Sequence, residues 1–323
     1  MYVDRWLAGI TRYHAAEPKD WRMRIPDFML HCVALLGYED AQGQAKYGGT
    51  GLFLLLRDEH ERVAPRYLVT ARHVVTGIPS VPGSGLKHQR EAFAEFTSLD
   101  DDQFHVSLSD VDWIFPEDDA VDLAICYFPG GNPRNLAIAE ESLLGGNELA
   151  RKGIGIGDET YSISLFGFKQ QVISKTPIAR IGNIAMLPLM KAPTEFGDTE
   201  VYVIEARSLS GFSGAPVFVR QTVNLPSQKD AEGEEFNPNA LGYMYLLGLL
   251  HGHRELGPQD RGVNTGLAFV VPAEKIKELL ASDGFREKKQ GHIAREVERR
   301  RETQRTAMGR IVMDSAAERH SDE

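Results

Sequence analysis

Short apolar runs set between Gly-rich or charged turns recur along most of the chain. Phe28 to Leu36 and Gly49 to Leu56 show the pattern first, and it predicts strands joined by hairpins. Tyr67 to Val75 is a third β-rich run, and it ends in a histidine, His73. Further on, Thr160 to Phe166 alternates apolar and polar residues and runs into Gly167, as a strand runs into a turn. Ile178 to Leu187, Thr199 to Ile204, Tyr243 to Leu250 and Gly266 to Val271 predict further strands. Helical spacing is confined mainly to the two ends. Trp6, Leu7, Ile10 and Tyr13 predict a short N-terminal helix, and Ile276, Leu279 and Leu280 predict one opened by Pro272, a residue suited to a first helical turn. Within the polar stretch 80–105, the segment from Glu91 to Phe96 predicts a short helix in a loop insertion.

Breakers divide the pattern. Pro129 to Pro133 and Ser142 to Gly146 predict a connector between two strand-rich lobes, and residues 221–240, polar and acidic with Pro226 and Pro238, predict an exposed excursion. The expected organisation is an all-β protein with an N-terminal extension (1–27), a first lobe (28–149), a second lobe closed by a helix (150–285) and a tail (286–323). That tail holds 10 basic and 8 acidic residues and few apolar ones, which predicts a frayed helix or a partly disordered extension and leaves room for a partner contact.

Composition narrows the function classes. With 42% apolar and 25% charged residues the chain reads as a soluble globular protein, and its 31 glycines and 16 prolines suit a turn-rich β fold. A net charge of −10 argues against a general nucleic-acid binder, which needs a basic surface to neutralise phosphates. Cys32 and Cys126 each lie in an apolar run and read as small buried hydrophobes, so no disulfide framework is expected. The start of the chain shows no basic segment followed by an apolar one, and no apolar stretch approaches membrane-spanning length. The expectation is a cytoplasmic protein with no membrane partner.

The candidate chemistry centres on Gly211-Phe212-Ser213-Gly214-Ala215-Pro216, a small-residue turn that breaks into the strand-like Val217-Phe218-Val219. Glycines on both sides of one serine let the backbone turn tightly. Amides of Gly211 and Ser213 pointing the same way would form an oxyanion hole beside the hydroxyl. A serine nucleophile needs a base held by a third group. His73 is the base candidate. Among the acids crowded into one segment, Asp118 and Asp119 sit in a polar turn. Asp122 precedes the apolar Leu123-Ala124-Ile125, where an unpaired carboxylate would be costly, and is the one chosen.

Thr70-Ala71-Arg72-His73, Asp122-Leu123-Ala124 and Gly211 to Pro216, in that chain order, resemble the three signatures of the chymotrypsin-like (trypsin-like) serine peptidases, in particular bacterial ones without disulfides. The resemblance covers roughly residues 28–280. It implies two antiparallel β-barrels with the site between them, and hydrolysis of a protein or peptide substrate by Ser213, His73 and Asp122 through an acyl-enzyme, with no cofactor. It also implies a specificity pocket with its floor at Arg207 and Ser208 and its walls at Leu250, His251, Gly252, Gly266 and Ala268. If Arg207 points into that pocket an acidic side chain fits; if it points to solvent, the Leu, Ala and Gly walls favour small or medium apolar residues over Lys or Arg. The apolar preference is the expectation, because a cation in an apolar pocket without its partner is expensive.

Several other patterns carry less. Gly153, Gly155 and Gly157 alternate without the Lys or Ser/Thr of a phosphate loop. His251 and His253 share a face of a strand with no acid or cysteine partner in sight, so no metal is expected. An α/β-hydrolase nucleophile elbow would need a helix after the serine and the acid and base downstream of it. A non-cutting or latent module on the peptidase fold stands as the alternative to an active endopeptidase.

Overall fold

A computed structural model of the chain describes residues 25, 27–40, 42–77, 92–98, 102–128, 137–168, 171–206, 212–222, 228–229, 235–236, 244–255 and 264–321. The helix expected around Trp6 and the connector at Pro129 to Pro133 lie outside the described residues.

The first lobe begins with one helical turn, α1 (Asp27–Leu30), and an antiparallel meander of β1 (Val33–Glu39), β2 (Ala45–Leu55) and β3 (Arg66–Thr70). A one-turn helix, α2 (Arg72–Thr76), follows directly. Then come β4 (Ala92–Thr97), β5 (Gln103–Ser107), β6 (Trp113–Ile114), β7 (Ala124–Tyr127) and β8 (Ile138–Ala139). They form one eight-stranded sheet in the order β5-β4-β1-β2-β3-β7-β6, with β8 parallel to β2. The expected helix from Glu91 to Phe96 is corrected: Ala92–Thr97 is a strand held between β1 and β5. Backbone pairing on both edges and burial of Phe93 and Phe96 outweigh the helical leaning of Ala and Glu in so short a segment.

A 3-10 turn (Glu140–Ser142) and α3 (Gly146–Arg151) lead into the second lobe. Its strands are β9 (Glu159–Phe168), β10 (Gln171–Met186), β11 (Lys191–Thr194), β12 (Gly197–Glu200), β13 (Tyr202–Glu205), β14 (Pro216–Arg220), β15 (Gln228–Lys229), β16 (Glu235–Phe236), β17 (Tyr245–Glu255) and β18 (Asn264–Pro272). Six of them close a barrel in the order β10-β13-β18-β17-β14-β9. The apolar run from Thr199 to Ile204 is divided: β12 pairs with β11 as a hairpin off the barrel, and β13 keeps the barrel position.

Three apolar clusters hold the lobes. One fills the first lobe around Leu36, Phe53 and Phe96, and one fills the barrel around Phe212, Val217 and Leu250. The third lies between them, joining Val69 and Ile125 to Tyr161, Phe218 and Leu249. Helix α4 (Ala273–Ala281) adds Ile276 and Leu279 to this central cluster, and α5 (Asp283–Ser321) adds Phe285. Helix α5 runs through the charged tail to Ser321. Its first turns dock on the first lobe, where His292 Nδ1 meets the Tyr67 hydroxyl at 3.2 Å and Glu296 accepts the Tyr127 hydroxyl at 3.2 Å.

This is the all-β, chymotrypsin-like arrangement. The second lobe is a closed barrel, and the first is a sheet that does not close on itself among the described residues.

Candidate active site

His73 is carried at the edge of the first lobe by a change of backbone geometry. Strand β3 ends at Thr70, Ala71 stays extended (φ −72°, ψ 140°), and α2 begins at Arg72. The buried Val74 and Val75 seat that turn on the core, which leaves His73 on its other face. Arg72 is tied back by an ion pair to Asp119 at 2.7 Å and lies over the Phe115 ring at 5.0 Å, so its charge is directed away from His73.

Asp122 lies just before β7 and is 2% exposed. The fully buried Leu123, Ala124 and Ile125 fix its backbone under the histidine. Its Oδ1 accepts the backbone N–H of His73 at 2.9 Å, and its Oδ2 accepts Nδ1 of the same residue at 2.7 Å. The neighbours Asp118 and Asp119 are exposed, and Asp118 caps its own turn through the N–H of Ala120. Burial alone would push the Asp122 carboxyl up, but hydrogen bonds from His251 and His73 outweigh it and hold the group well below the usual carboxylate range.

The Ser213 turn belongs to the second lobe but is clamped to the first. The carbonyl of Ser213 accepts the N–H of Thr50 at 2.8 Å, and the carbonyl of Thr50 accepts the Thr70 hydroxyl at 2.7 Å. Gly214 takes φ +79°, and a Cβ there would lie 2.3 Å from both the Thr50 carbonyl and Thr70 Oγ1. No other residue meets both the dihedral and the space. The threonine that opens the His73 motif and the glycine that follows the serine thus fit each other across the lobe boundary. The Gly214 N–H donates to the Leu250 carbonyl at 2.7 Å, tying the turn to β17. The Ser213 hydroxyl donates to the His251 carbonyl at 3.5 Å, and among the described residues it has no hydrogen bond to His73.

His251 was expected in a pocket wall. Its ring is 6% exposed and turned to the centre of the site, with Nδ1 2.6 Å from Asp122 Oδ2. A bulge explains the direction: along β17 the register slips between Leu250, opposite Val270, and Gly252, opposite Phe269, so His251 has no cross-strand partner and leaves the alternation.

A second unexpected contribution comes from the β11–β12 hairpin. Phe196 at its tip stacks on His73 (5.8 Å between centroids, 17° between planes) and meets His251 edge-on at 5.3 Å. Glu195 Oε1 is 4.0 Å from His251 Nε2.

The ligand atoms of His73, Asp122 and His251 all lie within 4.8 Å of one another, a grouping able to hold a metal ion. The acid that the sequence did not place beside His251 comes from the other lobe. The 2.6 and 2.7 Å separations are those of N–H···O bonds. Ligand atoms around a tetrahedral zinc stand about 3.3 Å apart, so the carboxylate would have to retreat by roughly 0.6 Å to admit one.

Of the remaining expected residues, Leu250 and Ala268 are buried in the barrel core. Gly252 pairs with Phe269 on β18, and Gly266, at φ +78°, accepts the N–H of Ala206 at 2.7 Å. Arg207, Ser208 and Gly211 lie outside the described residues.

No family model and no curated protein matches the chain. Among solved structures it is similar to the protease domain of MamO from Magnetospirillum magneticum, with 14% identity, 80% of this chain and 100% of that one covered, and a TM-score of 0.48. It is similar to Deg5 at 14% identity, covering 81% and 95%, with a TM-score of 0.44. It is also similar to the active form of the Rv3671c protease from M. tuberculosis, at 16% identity, covering 82% and 87%, with a TM-score of 0.45.

Proposed function

We propose that this chain is a serine endopeptidase that cleaves protein or peptide substrates through an acyl-enzyme on Ser213. The observation that carries the reading is the bidentate hold of the buried Asp122 carboxylate on His73, through backbone N–H and Nδ1, beside a serine in a turn clamped by both lobes. An ionised carboxylate only accepts, so His73 carries its proton on Nδ1 and presents Nε2 as the base. Ser213 Oγ attacks the carbonyl carbon, and its proton passes to Nε2. The tetrahedral oxyanion is received by the amides of Gly211 and Ser213. His73 then gives the proton to the leaving amine, and water repeats the sequence on the acyl-enzyme. Asp122 keeps the imidazole in this tautomer and balances the charge it gains. The proposed residue preference at the cut site is Val, Ala or Leu rather than Lys or Arg.

A latent resting state is the second reading, and two contacts favour it. The Ser213 hydroxyl is turned to the His251 carbonyl, and Phe196 covers the ring of His73. A substrate that displaces Phe196 and rotates the Ser213 side chain toward Nε2 would complete the triad.

Labelling with a fluorophosphonate tests the assignment. The wild-type protein should take one label and Ser213→Ala none; equal labelling of the two, or a label mapped to another residue, would refute it.

A further inference from the structure

We propose that His251 is a positioning residue of the catalytic centre, one that shares Oδ2 of Asp122 with His73 so that a single carboxylate orients two imidazoles. Its catalytic consequence rests on the peptidase reading above, while its geometry stands apart from it.

Both Nδ1 atoms lie at hydrogen-bond distance from the one oxygen, 2.7 Å from His73 and 2.6 Å from His251. That oxygen is an acceptor without a proton, so both nitrogens must donate, and each ring carries its proton on Nδ1. The arrangement is built rather than incidental. The bulge in β17 removes His251 from the strand alternation, its ring is 6% exposed, and the two rings stand edge to face, 5.8 Å apart at 76°, with the carboxylate oxygen shared between their Nδ1 atoms. The same residue accepts the Ser213 hydroxyl on its carbonyl. From β17, His251 therefore touches both Asp122 and Ser213.

Among the described residues three titratable groups face it: Asp122 and His73 from the first lobe, and Glu195 from the β11–β12 hairpin, 4.0 Å from its Nε2. A second donor on Oδ2 draws off part of the negative charge that would stabilise the His73 imidazolium. That moves the acid limb of the rate profile to lower pH than Asp122 serving His73 alone would give.

Two measurements on the full chain test this. In long-range proton–nitrogen spectra at neutral pH, His73 and His251 should both appear as Nδ1–H tautomers. A His251 protonated on Nε2 and bare on Nδ1 would overturn the proposal whether or not the protein cleaves anything.

The second measurement is the pH dependence of fluorophosphonate labelling in His251→Leu, which keeps bulk without the donor, and His251→Asn, which keeps an N–H near the Nδ1 position. Leu should slow labelling roughly tenfold and move the acid limb up by about half a pH unit, and Asn should recover most of both. A limb that stays put in Leu, with only the size preference for peptides changed, would make His251 a pocket wall and sink the idea. Wild-type protein that takes no label would fail the peptidase reading, and the tautomer measurement would still decide this one.

Discussion

Phe196→Ala is the perturbation that most directly probes the resting state. The ring at the hairpin tip lies over His73 and against His251, and it is 39% exposed. Two aromatic contacts of about 0.5–1.5 kcal/mol each set the scale, and partial exposure places the sum near the lower end, at about 1–2 kcal/mol. That is a factor of roughly 5 to 30 in how often the tip stands away from His73. The second-order rate of fluorophosphonate labelling at Ser213 should rise by that factor in Phe196→Ala. The melting temperature should hardly move, because among the described residues β11 and β12 pair only with each other and Phe196 belongs to none of the three core clusters. A rate that is unchanged or lower, in a variant that melts with the wild type, would show that Phe196 supports the site instead of covering it.

The clamp between the lobes predicts that Gly214→Ala loses about 2–4 kcal/mol in denaturant unfolding, from the left-handed dihedral plus overlap with Thr50 and Thr70; a loss under about 0.5 kcal/mol would refute the clamp. The docked C-terminal helix makes a pH prediction through His292, whose value burial, aided by Arg295, lowers to about 4 from an ordinary 6.5. Between those values the unfolded chain binds the proton and the folded one does not. Stability should therefore be flat above about pH 6.5 and fall toward pH 4, by at most about 3 kcal/mol from this group. His292→Gln should lack that part of the slope in paired thermal scans, and identical slopes would disprove it.

Much of this molecule follows from its one-dimensional pattern. The period-two runs become the barrel strands because each has one face to bury, and Asp122 was separable from Asp118 and Asp119 because only it leads into an apolar strand. The two flanking motifs were legible as residue types, yet the reason for Thr70 and Gly214 is a mutual fit between segments far apart in the chain. The docking of α5 left only a sparse trace, Phe285, His292, Ile293 and Glu296 on one face among many charges, and the partners that make that face count, Tyr67 and Tyr127, lie on β3 and β7. The direction of His251 and the position of Phe196 had no sequence signal at all. One depends on a register slip in β17, the other on a hairpin off the barrel whose second strand, β12, reads in sequence as one run with β13. Local sequence sets which face a side chain takes relative to its own strand. Where that strand slips against its neighbour, or what folds over it from another lobe, is decided by long-range pairing and packing alone.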